Sequence, residues 1–366
     1  MKSNNRVIQL DILRAFAILL VMFHHIPAKF VGHSLLSQVF WAFKKGGWMG
    51  VDMFFVLSGF LVSGIYFREY LKTGKVSVGN FLIRRGLKIY PNFFFFLIIT
   101  AIVGYLLGEY YSLNTLFSEI FFYQSYLPLP QMWGPTWSIA VEEHFYLLLS
   151  LIFYVLSKIY TGKKSDKVFN LLPVIFLGVA IMCMSFRLYN NIIHPQYDFL
   201  THYGNSHIRI DSLMFGVLLA YLYYFKKEKL QIFNKYKFQL LTISILMLGV
   251  YFIVERPFHN WISVIGLTHL YLCFGTILLT FLNINIKENF ITKGFKIIGK
   301  NSYAIYLWHA PVLHWLILLS GSFYVVFAYF IVSIALGSVL TYTIEIPMLK
   351  LRDRIFPSKS GILKVQ

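Results

Sequence analysis

Arg14 and His25 stand eleven positions apart in a largely apolar run, Leu10 to Phe30. At about 100° per residue, eleven steps turn about 1100°, or three full turns and about 20°. On a helix both side chains therefore leave from one face, about 16 Å apart along the axis. An ionisable side chain at bilayer depth costs at least roughly 2.5–3.5 kcal/mol by insertion scales, so each one is a functional candidate. A guanidinium near one surface and an imidazole about 22 Å above the start of the span suit a substrate that threads between them. His24 points about 100° away around the helix and is the lesser candidate.

Glu142 lies in Trp137-Ser138-Ile139-Ala140-Val141-Glu142-Glu143-His144-Phe145-Tyr146, on a span running the other way. Its depth is about 9 Å below the far surface, or about 21 Å above the near one. That is the level of His25, so an imidazole base and a carboxylate that orients it can meet there. Arg85 and Lys88, three apart on one helical turn, stand with Arg84 at the height of Arg14 and can clamp phosphates. A general excess of Lys and Arg in cytoplasmic loops explains those charges equally well. Asp52, Arg209 and Asp211 open their spans on the opposite side, where an ion pair within Arg209-Ile210-Asp211 or between the spans is the plainer reading. Tyr303, Tyr306 and His309 lie in the cytoplasmic half of a late span that Pro311 is expected to kink. His309 is either a packing histidine or a ligand contact. Asp52, Asp211, Trp137, Ser138, Tyr306 and His309 are the candidate substrate contacts.

The elements that position these groups follow from composition. Of 366 residues, 58% are apolar and only 13% charged, and the mean hydropathy is +0.65. Soluble domains run at about 45–50% apolar and about 25% charged. The fold class expected is all-α, a polytopic membrane protein with about ten transmembrane helices, since lipid offers no partner to unpaired backbone groups. The spans fall at 10–30, 48–67, 89–108, 136–157, 171–189, 208–225, 239–254, 261–283, 302–320 and 323–349. Tyr110 to Pro135 is also rather apolar, but Pro128, Pro130, Gly134 and Pro135 interrupt it, so a re-entrant or interfacial loop is expected there.

With the N-terminus in the cytoplasm, 26 of the 33 Lys and Arg fall in cytoplasmic segments. Four fall outside (Lys29, Lys44, Lys45, Arg256) and three within spans (Arg14, Arg187, Arg209). This asymmetry predicts cytoplasmic N- and C-termini. The net charge of +18 then reflects topology and contact with anionic membrane lipids, and no nucleic acid partner is expected. Cys183 and Cys273 both fall inside spans and offer no disulfide or metal framework. The first span carries Arg14, His24 and His25 and lacks a small-residue cleavage site, which marks it as a retained helix. The expected organisation is one membrane-embedded domain over 1–356, a short cytoplasmic tail over 357–366 and no appended soluble domain.

Taken together, the sequence resembles the acyltransferase-3 family of membrane acyltransferases over essentially its whole length. The Arg-x10-His pattern is Arg14 to His25, and Phe-Phe-x-x-Ser-Gly is Phe54 to Gly59. Arg-x-x-Arg-Ile-x-Pro is Arg85 to Pro91, with Lys88 for the second arginine. Trp-Ser-x3-Glu-x2-Phe-Tyr is Trp137 to Tyr146, and Ser-Tyr-x-x-Tyr-x-x-His is Ser302 to His309. Each motif alone is weak, but five in order are specific. Lys88 keeps the charge and gives up the bidentate phosphate geometry of arginine.

The resemblance implies transfer of an acyl group, usually acetyl, from cytoplasmic acyl-CoA to a hydroxyl of a cell-envelope or exported glycan, such as lipopolysaccharide O-antigen or exopolysaccharide. It implies a bacterial cytoplasmic membrane, no permanently bound cofactor, acyl-CoA as co-substrate, and a lipid-linked glycan or a separate extra-cytoplasmic protein as a partner. Many members carry an extra-cytoplasmic hydrolase-like domain, which is not seen in these 366 residues. In the mechanism expected, Arg85, Lys88, Arg84 and Arg14 hold the donor phosphates. His25 acts as general base, or forms an acyl-enzyme, and Glu142 orients the imidazole or contacts the sugar. A small-molecule or lipid acceptor is the alternative. A transporter or a non-catalytic membrane protein is a remoter one, since intramembrane charges also line transport pathways.

Overall fold

The computed structural model describes residues 7–28, 35–75, 77–127, 132–159, 166–254, 261–320, 322 and 324–358. Among them every regular element is helical: α1 (Ile8–His25), α2 (Leu35–Gly46), α3 (Gly50–Thr73), α4 (Val78–Leu106), α5 (Leu113–Ile120), α6 (Trp137–Ile159), α7 (Leu172–Ile193), α8 (Ile210–Phe225), α9 (Gln231–Lys235), α10 (Lys237–Leu248), α11 (Val250–Ile253), α12 (Leu267–Leu282), α13 (Phe290–Lys300), α14 (Ser302–Leu319), α15 (Tyr324–Leu340) and α16 (Ile346–Ile355). Short 3-10 turns link several of them, and π-helical turns occupy Leu200–Gly204, Ile262–Gly266 and Thr341–Glu345.

Eight of the described helical stretches are long and apolar enough to cross a membrane, and a ninth forms if the pair Lys227–Lys235 and Lys237–Ile253, bent by 79°, is one span. The tenth expected span is α8, whose 16 residues give about 24 Å of rise. Its N-terminal end is drawn inside the protein by the buried Arg209, Asp211 and Ser212. Leu106, Leu147, Ile181 and Ile331 are more than half exposed. An outer surface of this kind suits lipid rather than water.

The structure departs from the expected boundaries where helices are amphipathic or pass through proline. The segment before Gly50 was expected as a loop. It is instead α2, which continues through the 3-10 turn Gly47–Met49 into α3. Phe40 and Phe43 pack on Phe23, leaving the apolar pattern too sparse to read as a span. Helix α4 begins at Val78, eleven residues early, and runs through Pro91. One proline removes only one backbone bond, and packed neighbours hold the helix together. Among the described residues of 113–136 the regular elements are α5 and two 3-10 turns, none long enough to span. Pro128 and Pro130 lie outside the described residues, as do 359–366 of the tail. Glu119 of α5 is buried and accepts from Met132 N (3.2 Å) and the Thr136 hydroxyl (3.0 Å), tying this segment to the start of α6. Burial pushes its carboxyl up to about 7.

Two close helix contacts fix the frame. A Cβ on Gly59 of α3 would lie 1.9 Å from the Leu213 carbonyl oxygen of α8, and one on Gly216 would lie 2.3 Å from the Val56 carbonyl oxygen. Small residues let backbones approach this closely where the hydrophobic effect cannot drive association. Gly59→Val is therefore expected to cost more than the roughly 1–3 kcal/mol of ordinary overpacking, since a carbonyl cannot rotate away. A lowered unfolding midpoint of the detergent-solubilised protein would register it, and an unchanged midpoint would deny the contact. Gly299 of α13 would likewise place a Cβ 1.7 Å from the Asp11 carbonyl oxygen of α1. This seats the start of α14 beside the first turns of α1, well inside the protein.

Candidate functional site

A cavity of about 1090 Å³ opens between α1, α3, α4, α6, α14 and the segment 341–358. Its charged lining includes nine Lys or Arg side chains against five Asp or Glu, so an anionic ligand is favoured. Arg14, Arg84, Arg85, Lys88, Lys300 and Arg352 surround the mouth. Arg14 pairs with Asp11 one turn back (3.2 Å). Arg85 lies over the rings of Phe81 and Tyr146, at 5.6 and 5.5 Å. Arg84 donates to Asp353 (2.8 Å) and to the Phe356 carbonyl. All three arginines named before the structure as phosphate ligands thus border one space, together with Lys88.

Deeper in, Glu142 accepts from the Tyr146 hydroxyl one turn on, and the same hydroxyl lies 2.9 Å from Ser58 of α3. Glu143, about 100° around the helix, turns instead to α4 and accepts from Tyr90 (2.8 Å). Glu345 accepts from the buried Asn92 (2.8 Å), and the π turn that carries it brings both Thr341 and Glu345 to the cavity wall. A π turn is frequent at functional sites because the extra residue re-aims side chains.

The lining also carries hydroxyls, backed by His309 and His25, whose rings lie outside the lining itself. Ser138 and Tyr306 face each other at 2.6 Å and line the cavity. Tyr306 also donates to the Pro135 carbonyl (2.9 Å). His309 packs on Tyr306, with ring centroids 5.5 Å apart, and on His25, at 4.8 Å and 74°. Each imidazole places Nδ1 against a backbone carbonyl of its own helix: His25 on Val21 (2.8 Å), His309 on Tyr306 (2.5 Å). A carbonyl only accepts, so Nδ1 carries the hydrogen, and in the neutral ring Nε2 keeps its lone pair. The Nε2 of His309 is buried and has no hydrogen-bond partner among the described residues. His24 is occupied elsewhere, with Nδ1 2.8 Å from the Lys44 carbonyl and Lys44 donating to the Ile26 carbonyl (2.6 Å).

Three placements differ from the sequence reading. Glu142 was expected to orient His25, but it bonds to Tyr146 and Ser58, in the field of Lys88 and Arg85, while His309 is the ring packed edge-on to His25. His309 was expected nearer the cytoplasm than His25, yet the rings share one level. Gly299 meets Asp11 in the first turn of α1, so α14 rises beside α1, and the ring contact of 4.8 Å fixes the common level. Asp52, Asp211 and Trp137 were expected to contact substrate, but they lie outside the cavity lining, in a buried ionic layer. Asp52 pairs with Arg209 (2.6 Å) and Asp211 with Arg187 (2.5 Å). Arg209 lies over the Tyr203 ring at 4.2 Å and near Trp137 at 5.7 Å.

Sequence reasoning had not singled out Ser58, Tyr146, Asn92 or Glu345 as site residues. Of these, Glu345 had a legible signal, a lone acid in an otherwise apolar span.

The profile of an acyltransferase domain, that of the acyltransferase-3 family, matches residues 7–345. A provisionally named O-acetyltransferase of Staphylococcus aureus strain COL is 27% identical over 353 residues, covering 88% of this chain and 53% of the relative. O-acetyltransferase OatA of Staphylococcus aureus strain NCTC 8325 is 26% identical over 392 residues, covering 96% of this chain and 59% of the relative. The chain thus spans little more than half the length of the relatives it matches. No solved structure matches it significantly.

Proposed function

Because the chain belongs to the acyltransferase-3 family, we propose that it transfers an acyl group, acetyl by preference, from acyl-CoA to a hydroxyl of an envelope or exported glycan. The observation that carries this reading is the cavity itself, cationic at one end and closed at the other by hydroxyls backed by a histidine pair. Its volume lies just above the roughly 300–1,000 Å³ of small-molecule sites, as a nucleotide with a long thioester arm requires. Arg85, Lys88 and Arg14 bind the donor phosphates, and the arm runs between α1 and α6 towards Tyr306.

There the Nε2 lone pair of His25 takes the proton of the acceptor hydroxyl as its oxygen attacks the thioester carbonyl. His309 supports that ring from the side. Collapse of the tetrahedral adduct forms the ester and breaks the carbon–sulfur bond, and the imidazolium returns its proton to the CoA thiolate. Ser138 and Tyr306 supply hydroxyls beside the reacting carbonyl. The acceptor reaches the histidines from the side opposite the basic mouth. The basic-residue asymmetry supports a mouth and both chain ends on the cytoplasmic side of a bacterial membrane.

Purified protein in liposomes, given acetyl-CoA and envelope glycan, is expected to release free CoA thiol and to raise the glycan mass by one acetyl group. Arg85→Ala and Lys88→Ala should each raise the KM for acetyl-CoA about tenfold with kcat held, the effect of losing one charge-assisted contact. Lys88→Arg should be tolerated. Thiol release that is unaffected by either Ala variant would remove these residues from the donor site, and no release with any glycan would remove the reading.

A further inference from the structure

At the rim of the cavity one carboxylate oxygen collects three N–H groups from two guanidinium groups. Asp353 Oδ1 accepts from Arg84 Nη2 at 2.8 Å, and from Arg352 Nη2 and Nε at 2.9 and 3.0 Å. The two arginines are 15% and 16% exposed, whereas Asp353 is 55% exposed. Arg84 is further held by the Phe356 carbonyl. Two arginines from two helices, α4 and α16, converge on one oxygen, Arg352 through its Nε and Nη2 and Arg84 through Nη2 alone, a donor set that suits a phosphate.

We propose that Arg84 and Arg352 form the site for the phosphate monoester on the donor's nucleotide, and that Asp353 is a built-in competitor for it. The proposal deepens the acyl-CoA reading and rests on it. The physical reason is a difference in strength. A carboxylate more than half exposed gains little from ion pairing, because water screens it. A phosphate monoester brings up to two charges and three acceptor oxygens to the same donors, and satisfies both arginines at once. Arg85, Lys88 and Arg14 line the same cavity and are assigned to the diphosphate. Asp353 thus weakens the binding of a ligand that carries the monoester, which must displace it, and leaves a ligand without the monoester nearly untouched.

The test is equilibrium binding of CoA and of dephospho-CoA, which lacks only the 3′-phosphate, to purified protein in phospholipid-free detergent, so that no lipid phosphate competes. Wild type is expected to bind CoA about tenfold more tightly than dephospho-CoA. Arg352→Ala should erase most of that ratio. Asp353→Ala and Asp353→Asn should tighten CoA about two- to fivefold, the worth of exposed ion pairs, with dephospho-CoA moving by less. Each ratio compares two ligands on one sample, so partial loss of folded protein cancels. Equal affinity for the two ligands in wild type, or an Asp353 variant that shifts neither or both alike, would overturn the site. Binding of neither ligand by wild type would overturn the donor reading beneath it.

Discussion

His25→Ala is expected to lower acyl transfer by roughly 10²–10⁴-fold, the contribution of a positioned general base, while donor binding stays near wild type. The expectation rests on the tautomer: with Nδ1 donating to the Val21 carbonyl (2.8 Å), the neutral ring keeps its lone pair on Nε2. His24→Ala should keep far more activity, since that ring is tied to the Lys44 carbonyl (2.8 Å) and its loss removes a fastening. His309→Ala removes the ring packed against His25 at 4.8 Å. If His309 only positions its neighbour, kcat should fall while the KM for acetyl-CoA holds. Steady-state kinetics on purified variants, with CoA binding measured separately, decide the matter. A His25→Ala protein that binds CoA normally and still acylates within a few-fold of wild type places the chemistry elsewhere.

The other large effect belongs to stability. Arg209 and Asp52 are each 1% exposed, and breaking a buried pair by removing one partner costs roughly 3–5 kcal/mol, because the remaining charge stays desolvated. Against a total of about 5–15 kcal/mol, Arg209→Met should leave little folded protein. Its other contact, the Tyr203 ring at 4.2 Å, is lost as well. The double variant Asp52→Leu/Arg209→Met removes both charges and should recover much of the loss, as apolar replacements of buried pairs do. Gel-filtration profiles of heated membrane extracts can follow all three proteins. Single variants as heat-resistant as wild type would show that the pair is solvated and the layer is not a structural one.

These expectations also mark how far the amino-acid order carries. Long spans were legible because lipid demands an unbroken apolar run, and the spans read at 171–189 and 302–320 recur as α7 and α14. The basic ligands were legible because Arg84, Arg85 and Lys88 lie on one helix and keep local spacing. Depth was not. Counting rise from the end of each span assumes straight helices and a common starting plane, yet the rings of His25 and His309, counted to different levels, meet at 4.8 Å. Helix pairing was not legible either: which carboxylate meets Arg209 depends on α3 and α8 closing through Gly59 and Gly216, a contact without a periodic signature. The short amphipathic α2 and α13 carry too few apolar residues to stand out from loops, although α13 sets the height of the histidine pair.

A π turn is an α-helix holding one residue more than its hydrogen bonds require. Between α15 and α16 that surplus lies at Thr341–Glu345. Excising one residue there would restore an ordinary helix and leave Arg352 and Asp353 nearly in phase, whereas the same deletion within regular helix α16 ahead of them would turn both by about 100° away from Arg84. The surplus residue is thus a shock absorber: the rim keeps its register with or without it, and what it reshapes is the stretch of cavity wall carrying Thr341 and Glu345.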